Sequence, residues 1–296
     1  MFNRAFALNY HLMLLPGIIF LILFSIVPMF GIVIAFQDYQ PTLGMFHSDW
    51  VGWENFTYMF SLPDSKLILV NTLVIAIMKI IAGLIVPFVF ALLLHEVFSV
   101  KFKRTIQTIV YLPHFMSWVI LSGVMINILS LDGIINHIVQ FFGFEPIMFL
   151  QSNVWFRPIV VASDVWKEFG FSTIIYIAAL TSINGNLYEA AAIDGANRYQ
   201  RLKYITIPSL LPTVILLATL SLGNVLNAGF EQILNLYNPI VYQSGDIIDT
   251  YVYRAGLLET QYGLATAVGM LKSVVSLILI SVSYALASRF ANYRIF

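Results

Sequence analysis

The sequence predicts an all-α membrane protein with six transmembrane helices. Of its 296 residues, 59% are hydrophobic and only 10% are charged, whereas an ordinary soluble domain has roughly 25% charged residues. A chain with so few charges cannot cover a water-facing surface, so lipid must be the solvent for most of it. No segment shows the alternation of a membrane β-barrel strand of about 10 residues, so the spans are predicted to be helices.

Six long apolar runs each provide the ~20 helical residues that cross about 30 Å of hydrocarbon. They cover residues 11–36, 67–94, 105–131, 158–183, 205–230 and 263–288. The first run follows Arg4, as the apolar region of a signal peptide would. It is too long for such a region, and no A-x-A cleavage site follows Phe36. We therefore expect the first run to be a retained span.

The connections between the spans differ in positive charge. With the N-terminus placed in the cytoplasm, nine basic residues fall in cytoplasmic segments, namely Arg4, Lys101, Lys103, Arg104, Arg198, Arg201, Lys203, Arg289 and Arg294. Only Lys66, Arg157 and Arg254 fall in external segments. This asymmetry predicts that both termini are cytoplasmic. The predicted organisation is a first span with its external loop (1–66), a core of five spans (67–290) and a short cytoplasmic tail (291–296).

Overall charge and cysteine content exclude some classes of function. Fifteen basic residues balance fifteen acidic ones, so the net charge indicates neither nucleic acid nor an acidic partner. The chain has no cysteine, which excludes disulfides, thiolate metal sites and a cysteine nucleophile. The histidines lack metal-ligand spacing, so no metal site is predicted, and His114 is interpreted as a hydrogen-bonded residue.

The loop between the fourth and fifth spans (184–207) contains a polar, alanine-rich segment, EAAAIDGANRYQ. Asn186 precedes Glu189, and Asn197 precedes Gln200, by the three positions of a capping box. Gly195 follows an aspartate at a turn signal and is free to take a positive φ. The segment is therefore predicted to form two short helices that meet at this glycine. The residues alone suit either a docking helix or an ordinary amphipathic loop.

Charged residues inside the spans are predicted to mark a substrate path, because a charge at the bilayer centre is costly unless it faces protein or water. The candidates are Lys79, Asp164, Lys167, Glu168 and Lys272, with Trp166 as a flat aromatic face. Asp164 and Glu168 are four residues apart and share a helix face. Two alternatives stay open. The charges could pair only among themselves and hold the helices together, or the lysines could extend towards the membrane surface.

The loop segment closely resembles the EAA signature of binding-protein-dependent ABC importer permeases. The matching residues are Glu189, Ala190, Ala191, Asp194, Gly195, Ala196 and Gln200, followed by Ile205, Pro208 and Pro212. Segments elsewhere, including 111–115 and 165–168, look like the branch of this family that serves oligosaccharide and polysaccharide uptake. The resemblance implies a type I importer permease (MetI-like) fold.

The resemblance also implies a division of labour among several chains. In this family the EAA segment is a coupling helix that docks on a separate cytoplasmic ATPase. The residues expected to make that contact are Glu189, Ala190, Ala191, Asp194, Gly195 and Ala196. A pair of such ATPase subunits, a second homologous permease and an external solute-binding lipoprotein are the expected partners. This chain has no G-x-x-x-x-G-K-[ST] loop, so ATP is expected to be used by the ATPase and no cofactor by this chain.

The family resemblance further implies a gate and a substrate. The region after the fifth span dips back towards the pore in this family, which makes Glu231 and Gln232 candidate gate residues. Carboxylates and aromatic rings suit sugars, and lysines in the same cavity would favour an acidic sugar unless Glu168 neutralises Lys79. A bacterial plasma membrane of the Gram-positive type is the expected location.

The main hypothesis is a non-enzymatic permease subunit of an oligosaccharide importer. Two alternatives from other classes stay open. An intramembrane enzyme would use Asp164 and Glu168 as a carboxylate pair, but it would leave the EAA loop without a role. An ion-coupled secondary transporter would use the same charges for protons or sodium.

Overall fold

The computed structural model describes residues 4–290, with side chains from residue 10 to 285, and most of it is helical. The α-helices are α1 (Arg4–Leu21), α2 (Val27–Met29), α3 (Glu54–Ser61), α4 (Ser65–His95), α5 (Val100–Tyr111), α6 (Trp118–Leu129), α7 (Ile134–Phe141), α8 (Phe156–Thr181), α9 (Gly185–Ile193), α10 (Arg198–Arg201), α11 (Ile207–Leu222), α12 (Phe230–Leu236), α13 (Tyr242–Gly245), α14 (Ile248–Tyr253) and α15 (Tyr262–Phe290). Shorter 3-10 or π-helical turns lie at Ile22–Ile26, Phe30–Phe36, Leu112–Phe115, Phe149–Gln151, Leu202–Thr206, Pro239–Val241 and Arg254–Leu258. Strands β1 (Gln37–Asp38) and β2 (Asp49–Trp50) pair antiparallel. The predicted all-α class is confirmed apart from this pair of short strands.

Five described helical segments are long and apolar enough to cross a membrane, namely Tyr10–Phe36, Ser65–His95, Trp118–Phe141, Arg198–Leu222 and Tyr262–Ala285. Helix α8 is not among them, although its 26 residues exceed the ~20 that a span needs. It carries Arg157, Asp164, Lys167 and Glu168, which lower its hydropathy. The count of six spans and the cytoplasmic termini therefore stay predictions, and the predicted tail 291–296 lies outside the described residues.

The predicted continuous span 105–131 is wrong, because the chain is broken between α5 and α6. Pro113 lies in the 3-10 turn there and has no N–H to continue an α-helix. Ser117 then starts α6, and its hydroxyl accepts a hydrogen bond from the Ile120 N–H at 3.4 Å. The third apolar run is thus two helices of 12 residues each with a turn between them.

The predicted span 205–230 is also wrong at its C-terminal end, because the helix is shorter than predicted. Helix α11 stops at Leu222, and seven residues without regular helix precede α12. Asn224 and Asn227 lie in this stretch, and Gly229 ends it with a φ of 95°. Only glycine reaches such a φ without strain, so the stretch forms a sharp turn where a longer helix was expected.

The described residues up to Ser65, together with Tyr251–Leu271, form one compact unit. Ala35, Phe56 and Ala267 are its buried core. The Asn55 amide donates to the Ala35 and Gln37 carbonyls at 3.0 and 3.1 Å, which holds α3 against the end of the first apolar segment.

Lys66–Thr250, with the described residues from Lys272 onward, form the second unit, which contains all the interior candidate residues. Its packed centre is Ala91 on α4, Tyr176 and Leu180 on α8, and Leu210 on α11, each no more than 3% exposed. These side chains hold the three long helices together at the ends nearest the loop 184–207. The functional division of the chain at residue 66 stays a prediction.

Helix α5 approaches α8 closely because of Gly170. A Cβ at Gly170 would clash with the backbone carbonyl of Val110. We expect Gly170→Ala to separate the two helices at a cost of about 1–3 kcal/mol, seen as a thermal unfolding temperature several degrees lower in detergent. Gly123→Ala on α6 is the matched control, since its Cβ would meet nothing within 4 Å. Equal unfolding temperatures for the two variants would contradict the close approach.

Candidate functional site

The alanine-rich loop folds as two short helices, α9 and α10, that meet at Gly195. Asn184 caps α9, and its side chain accepts a hydrogen bond from the Asn186 N–H at 3.0 Å. The predicted cap at Asn186 is therefore wrong, because the helix begins two residues earlier. The predicted capping box of α10 is confirmed, with reciprocal hydrogen bonds of 2.9 and 2.8 Å between Asn197 and Gln200.

Gly195 ends α9 in the left-handed conformation, with a φ of 78°. The Ala196 N–H donates to the Ala191 carbonyl at 2.8 Å, and the Gly195 N–H donates to the Ala192 carbonyl at 3.1 Å. These two bonds form the Schellman arrangement that closes many helices. The predicted glycine turn is thus confirmed, and it fixes the direction in which α10 leaves.

The loop presents small side chains to its surroundings. Glu189, Ala190 and Asp194 are exposed, and Ala191 and Ala196 are half-buried. A groove of about 310 Å³ runs beside them, lined by Ala191, Asp194, Gly195, Ala196, Gln200, Arg201, Tyr204 and Ile205. Sequence reasoning missed Ile193, the last residue of α9, which is 88% exposed. An apolar side chain in a polar loop was the available signal.

In the membrane interior, Lys79 joins three helical elements. Its Nζ donates to Asp164 Oδ1 on α8 at 3.0 Å, to the Ala228 carbonyl at 2.8 Å and to Gln232 Oε1 on α12. Gln232 in turn donates to the Val160 carbonyl at 2.8 Å. Lys79 is only 9% exposed, so its charge is neutralised inside the protein. Its carboxylate partner is Asp164, not the Glu168 considered from the sequence.

Glu168 belongs to a second ionic cluster. One of its oxygens lies 2.8 Å from Lys167 Nζ, and the other lies 2.7 Å from His114 Nδ1. Lys167 also donates to the His114 carbonyl at 3.0 Å and lies 5.7 Å from the centre of the Trp118 ring. Hydrogen bonding by His114 is confirmed. The Glu168 side chain is 38% exposed, so this cluster reaches the surface of the chain.

The remaining candidates lie apart from these two clusters. Lys272 pairs with Asp249 at 2.5 Å, a residue that the sequence did not single out because it lies in the loop region. Trp166 is 41% exposed, and its side chain makes no ion pair or ring contact with the part of the chain that the structure describes. Of the two candidate gate residues, Gln232 is fully buried in the Lys79 cluster, whereas Glu231 is exposed.

A cavity of about 320 Å³ with a mixed polar and apolar lining adjoins the Lys79 cluster. Its polar residues are Lys79, Asp164, Ser172, Tyr176, Ser221, Asn224 and Asn227, and its apolar side chains are Ala76, Ile80, Leu84, Ile175 and Leu217. Asp164 is 26% exposed, so one side of its carboxylate remains accessible while the other side holds Lys79. Amide, hydroxyl and carboxylate groups of this kind can donate to and accept from the hydroxyls of a polar solute.

Three similarities to known proteins bear on this geometry. The chain is 45% identical to the "Polygalacturonan/rhamnogalacturonan transport system permease protein YteP" of Bacillus subtilis (strain 168), over 97% of this chain and 89% of the relative. A chain in the crystal structure of a bacterial ABC transporter involved in the import of the acidic polysaccharide alginate superposes with a TM-score of 0.88 and 38% identity, over 97% of this chain and 96% of that one.

A second structure, of the bacterial alginate ABC transporter in complex with an alginate pentasaccharide-bound periplasmic protein, also gives a TM-score of 0.88. It is 37% identical, and the match covers 99% of this chain and 97% of that one. The sequence profile of one protein family matches residues 83–292, a range that includes α8, the loop 184–207 and α11. The chain therefore belongs to the family of binding-protein-dependent transport system inner membrane components.

Proposed function

We propose that this chain is the membrane-spanning subunit of an ATP-driven, binding-protein-dependent importer of oligosaccharides released from polysaccharides. The chain works in a bacterial plasma membrane, of the Gram-positive type in view of the Bacillus relative. The observation that carries the proposal is the capped α9–Gly195–α10 knob in a chain whose relatives are transport permeases. Its partners are a second permease, a pair of ATPase subunits and an external solute-binding lipoprotein.

The proposed role of the loop is mechanical coupling. Glu189, Ala190, Ala191, Asp194, Gly195 and Ala196 contact the ATPase, which alone uses ATP. The small side chains allow close approach, and Ile193, 88% exposed, inserts into an apolar part of the ATPase surface. Closure of the ATPase pair moves the knob, and the spans alternate between outward-open and inward-open states.

The proposed substrate path includes the cavity beside Lys79 and the surface of the Glu168 cluster. The charged Glu168 side chain is 38% exposed on a helix long enough to span, and a charge at that depth is costly against lipid. We therefore assign this face to a water-filled path beside the second permease, with Trp166 next to it. The buried Gln232 forms part of the gate.

The proposed substrate class rests on the names of the relatives, because the interior lysines are paired and give no independent support for an acidic sugar. The relatives' names refer to polygalacturonan, rhamnogalacturonan and alginate, which favours oligosaccharides of acidic polysaccharides. Lys79, Lys167 and Lys272 each have a carboxylate partner, so the resting chain offers no unpaired lysine among them. The cavity instead offers amides, hydroxyls and one side of Asp164 to neutral hydroxyl groups.

The two other function classes, an intramembrane enzyme and an ion-coupled transporter, explain fewer features of the structure. An intramembrane enzyme would need Asp164 and Glu168 to act together, but each carboxylate is bound to its own cation. An ion-coupled transporter could use the same pairs. Neither class gives a role to the α9–Gly195–α10 knob.

Co-purification tests the proposal directly. The intact chain, tagged and extracted with mild detergent from its native membrane, is expected to bring down an ATPase and a second permease. Purified material should hydrolyse ATP faster when a sugar-loaded binding protein is added. Recovery of the chain with neither an ATPase nor a second permease would contradict the importer hypothesis.

A substitution at Gly195 tests the coupling role. Gly195→Val forces a β-branched residue to a φ of 78°, at a cost of about 1–3 kcal/mol of local strain. We expect normal amounts in the membrane and uptake of labelled oligosaccharide reduced at least tenfold.

Gly143→Val is the matched control, because Gly143 also has a positive φ, 82°, and open space around it, but lies outside the knob. It should keep more than half of the uptake. Full ATP-dependent uptake by Gly195→Val would contradict the coupling role.

A double-mutant cycle separates pairing from substrate contact at Lys79 and Asp164. Removing one partner of a buried ion pair costs about 3–5 kcal/mol, whereas removing both can be nearly neutral. We expect Lys79→Met to unfold at a clearly lower temperature and Lys79→Met with Asp164→Asn to regain most of that loss.

Uptake gives the second measurement in this cycle. If Asp164 accepts hydrogen bonds from the sugar, the double variant stays poor in uptake despite its restored stability. Recovery of uptake together with stability would remove Asp164 from the substrate path and leave it a purely structural role.

A further inference from the structure

A second pocket near the loop has a different chemical character from the groove beside the alanines. It has a volume of about 290 Å³ and lies between the end of α4 and the segment from α10 to α11. Arg198, Arg201 and His95 line it, together with Glu96, and the hydroxyls of Tyr188 and Thr206 meet at 2.9 Å in its wall.

The two arginines form no ion pair among the described side chains. Glu96 also lines the pocket, but its carboxylate lies beyond ion-pair distance of either guanidinium group. Arg198 lies instead over the ring of Phe98, 5.3 Å from its centre. The interior lysines of the same unit are all paired with carboxylates. Two guanidinium groups that share a pocket repel each other unless an anion lies between them, so the pocket is suited to an external anion.

The position of the pocket along the spans indicates where that anion comes from. One candidate span ends at His95 and another begins at Arg198, and both of these residues line the pocket. The pocket therefore lies at the level where span ends meet lipid headgroups. Phe98, which lines the pocket, is 82% exposed, as expected of a side chain that rests among acyl chains.

The charge of the pocket matches a phosphodiester. Two arginines and one glutamate sum to a formal charge of +1, and a phosphodiester carries one negative charge. Arginine's planar fork donates two parallel hydrogen bonds to phosphate oxygens, and the Tyr188 and Thr206 pair can supply a further hydroxyl donor.

We propose that this pocket binds the headgroup of an anionic phospholipid, with Arg198 and Arg201 on the phosphate and the Phe98 ring against the lipid. The pocket shares Arg201 with the alanine groove beside the proposed ATPase contact, whereas Arg198 lines only the pocket. Arg198 is therefore the decisive residue for a test.

The test measures bound lipid directly. The chain, with the subunits that co-purify with it, is equilibrated with vesicles of phosphatidylglycerol and phosphatidylcholine, and retained lipid is counted by native mass spectrometry. Arg198→Gln is expected to lower retained phosphatidylglycerol about fivefold, with phosphatidylcholine unchanged. Arg198→Lys keeps the charge and should restore most of the binding. Lys203→Gln is the matched control, since Lys203 is an exposed cation of the same segment outside the pocket.

Several outcomes would overturn the proposal. Equal loss in the Lys203 control would mean a general basic surface without a site. Displacement of phosphatidylglycerol by millimolar inorganic phosphate, dependent on Arg198, would assign the pocket to a soluble phosphate compound. Loss of the co-purifying ATPase in Arg198→Gln with lipid retention unchanged would assign Arg198 to a protein carboxylate on that subunit.

Discussion

The arrangement of the second unit depends on the neutralisation of one buried ammonium group. Lys79 lies on α4 at 9% exposure, where an unpaired charge would be very costly. Its acceptors come from α8, from the turn at Ala228 and from α12, so all three must lie within reach of one Nζ. Gly229 is part of this constraint, because a Cβ there would be 2.5 Å from that nitrogen. The break between α11 and α12, and the cavity beside it, therefore follow from where Lys79 lies.

The same helices connect this cluster to the loop. Helix α8 carries Asp164 and ends at Thr181, three residues before the cap of α9. Helix α11 begins after the loop and ends at Leu222 beside the cavity. Near the loop the two helices are locked to α4 through the buried cluster that contains Tyr176 and Leu210. A push on the α9–Gly195–α10 knob would thus reach both walls of the cavity through packed helix, which is the kind of rigid element that transmits a two-state change.

Features that depend on local residue spacing could be predicted from the sequence. Contacts that depend on the relative rotation and depth of the helices could be seen only in the structure. The turn at Gly195 and the capping box at Asn197 follow from local spacing, and they were confirmed. Two of the six apolar runs were wrong as continuous helices, because the chain breaks at Pro113 and after Leu222. The partner of Lys79 did not follow, because choosing Asp164 over Glu168 requires the relative rotation of α4 and α8. Averaged hydropathy also failed to reveal the helix breaks at Pro113 and Gly229, since one helix-breaking residue hardly changes the mean hydropathy of a 20-residue window. His114 and Asp249 were missed as ion-pair partners because nothing in the sequence places them near Glu168 and Lys272.

The pairing of these charges limits how an acidic sugar could be recognised by this chain. A uronate that approached Lys79 would compete with Asp164 for the ammonium group, and the displaced aspartate would then be a partly buried carboxylate without a cation. That exchange is favourable only if Asp164 gains hydrogen bonds elsewhere, for example from sugar hydroxyls. If Asp164 gains no such hydrogen bonds, an anionic sugar must be attracted by cations outside this cluster. In the proposed importer, the Lys79 cluster would contact sugar hydroxyl groups, and discrimination for sugar acids would belong to the proposed binding protein and second permease.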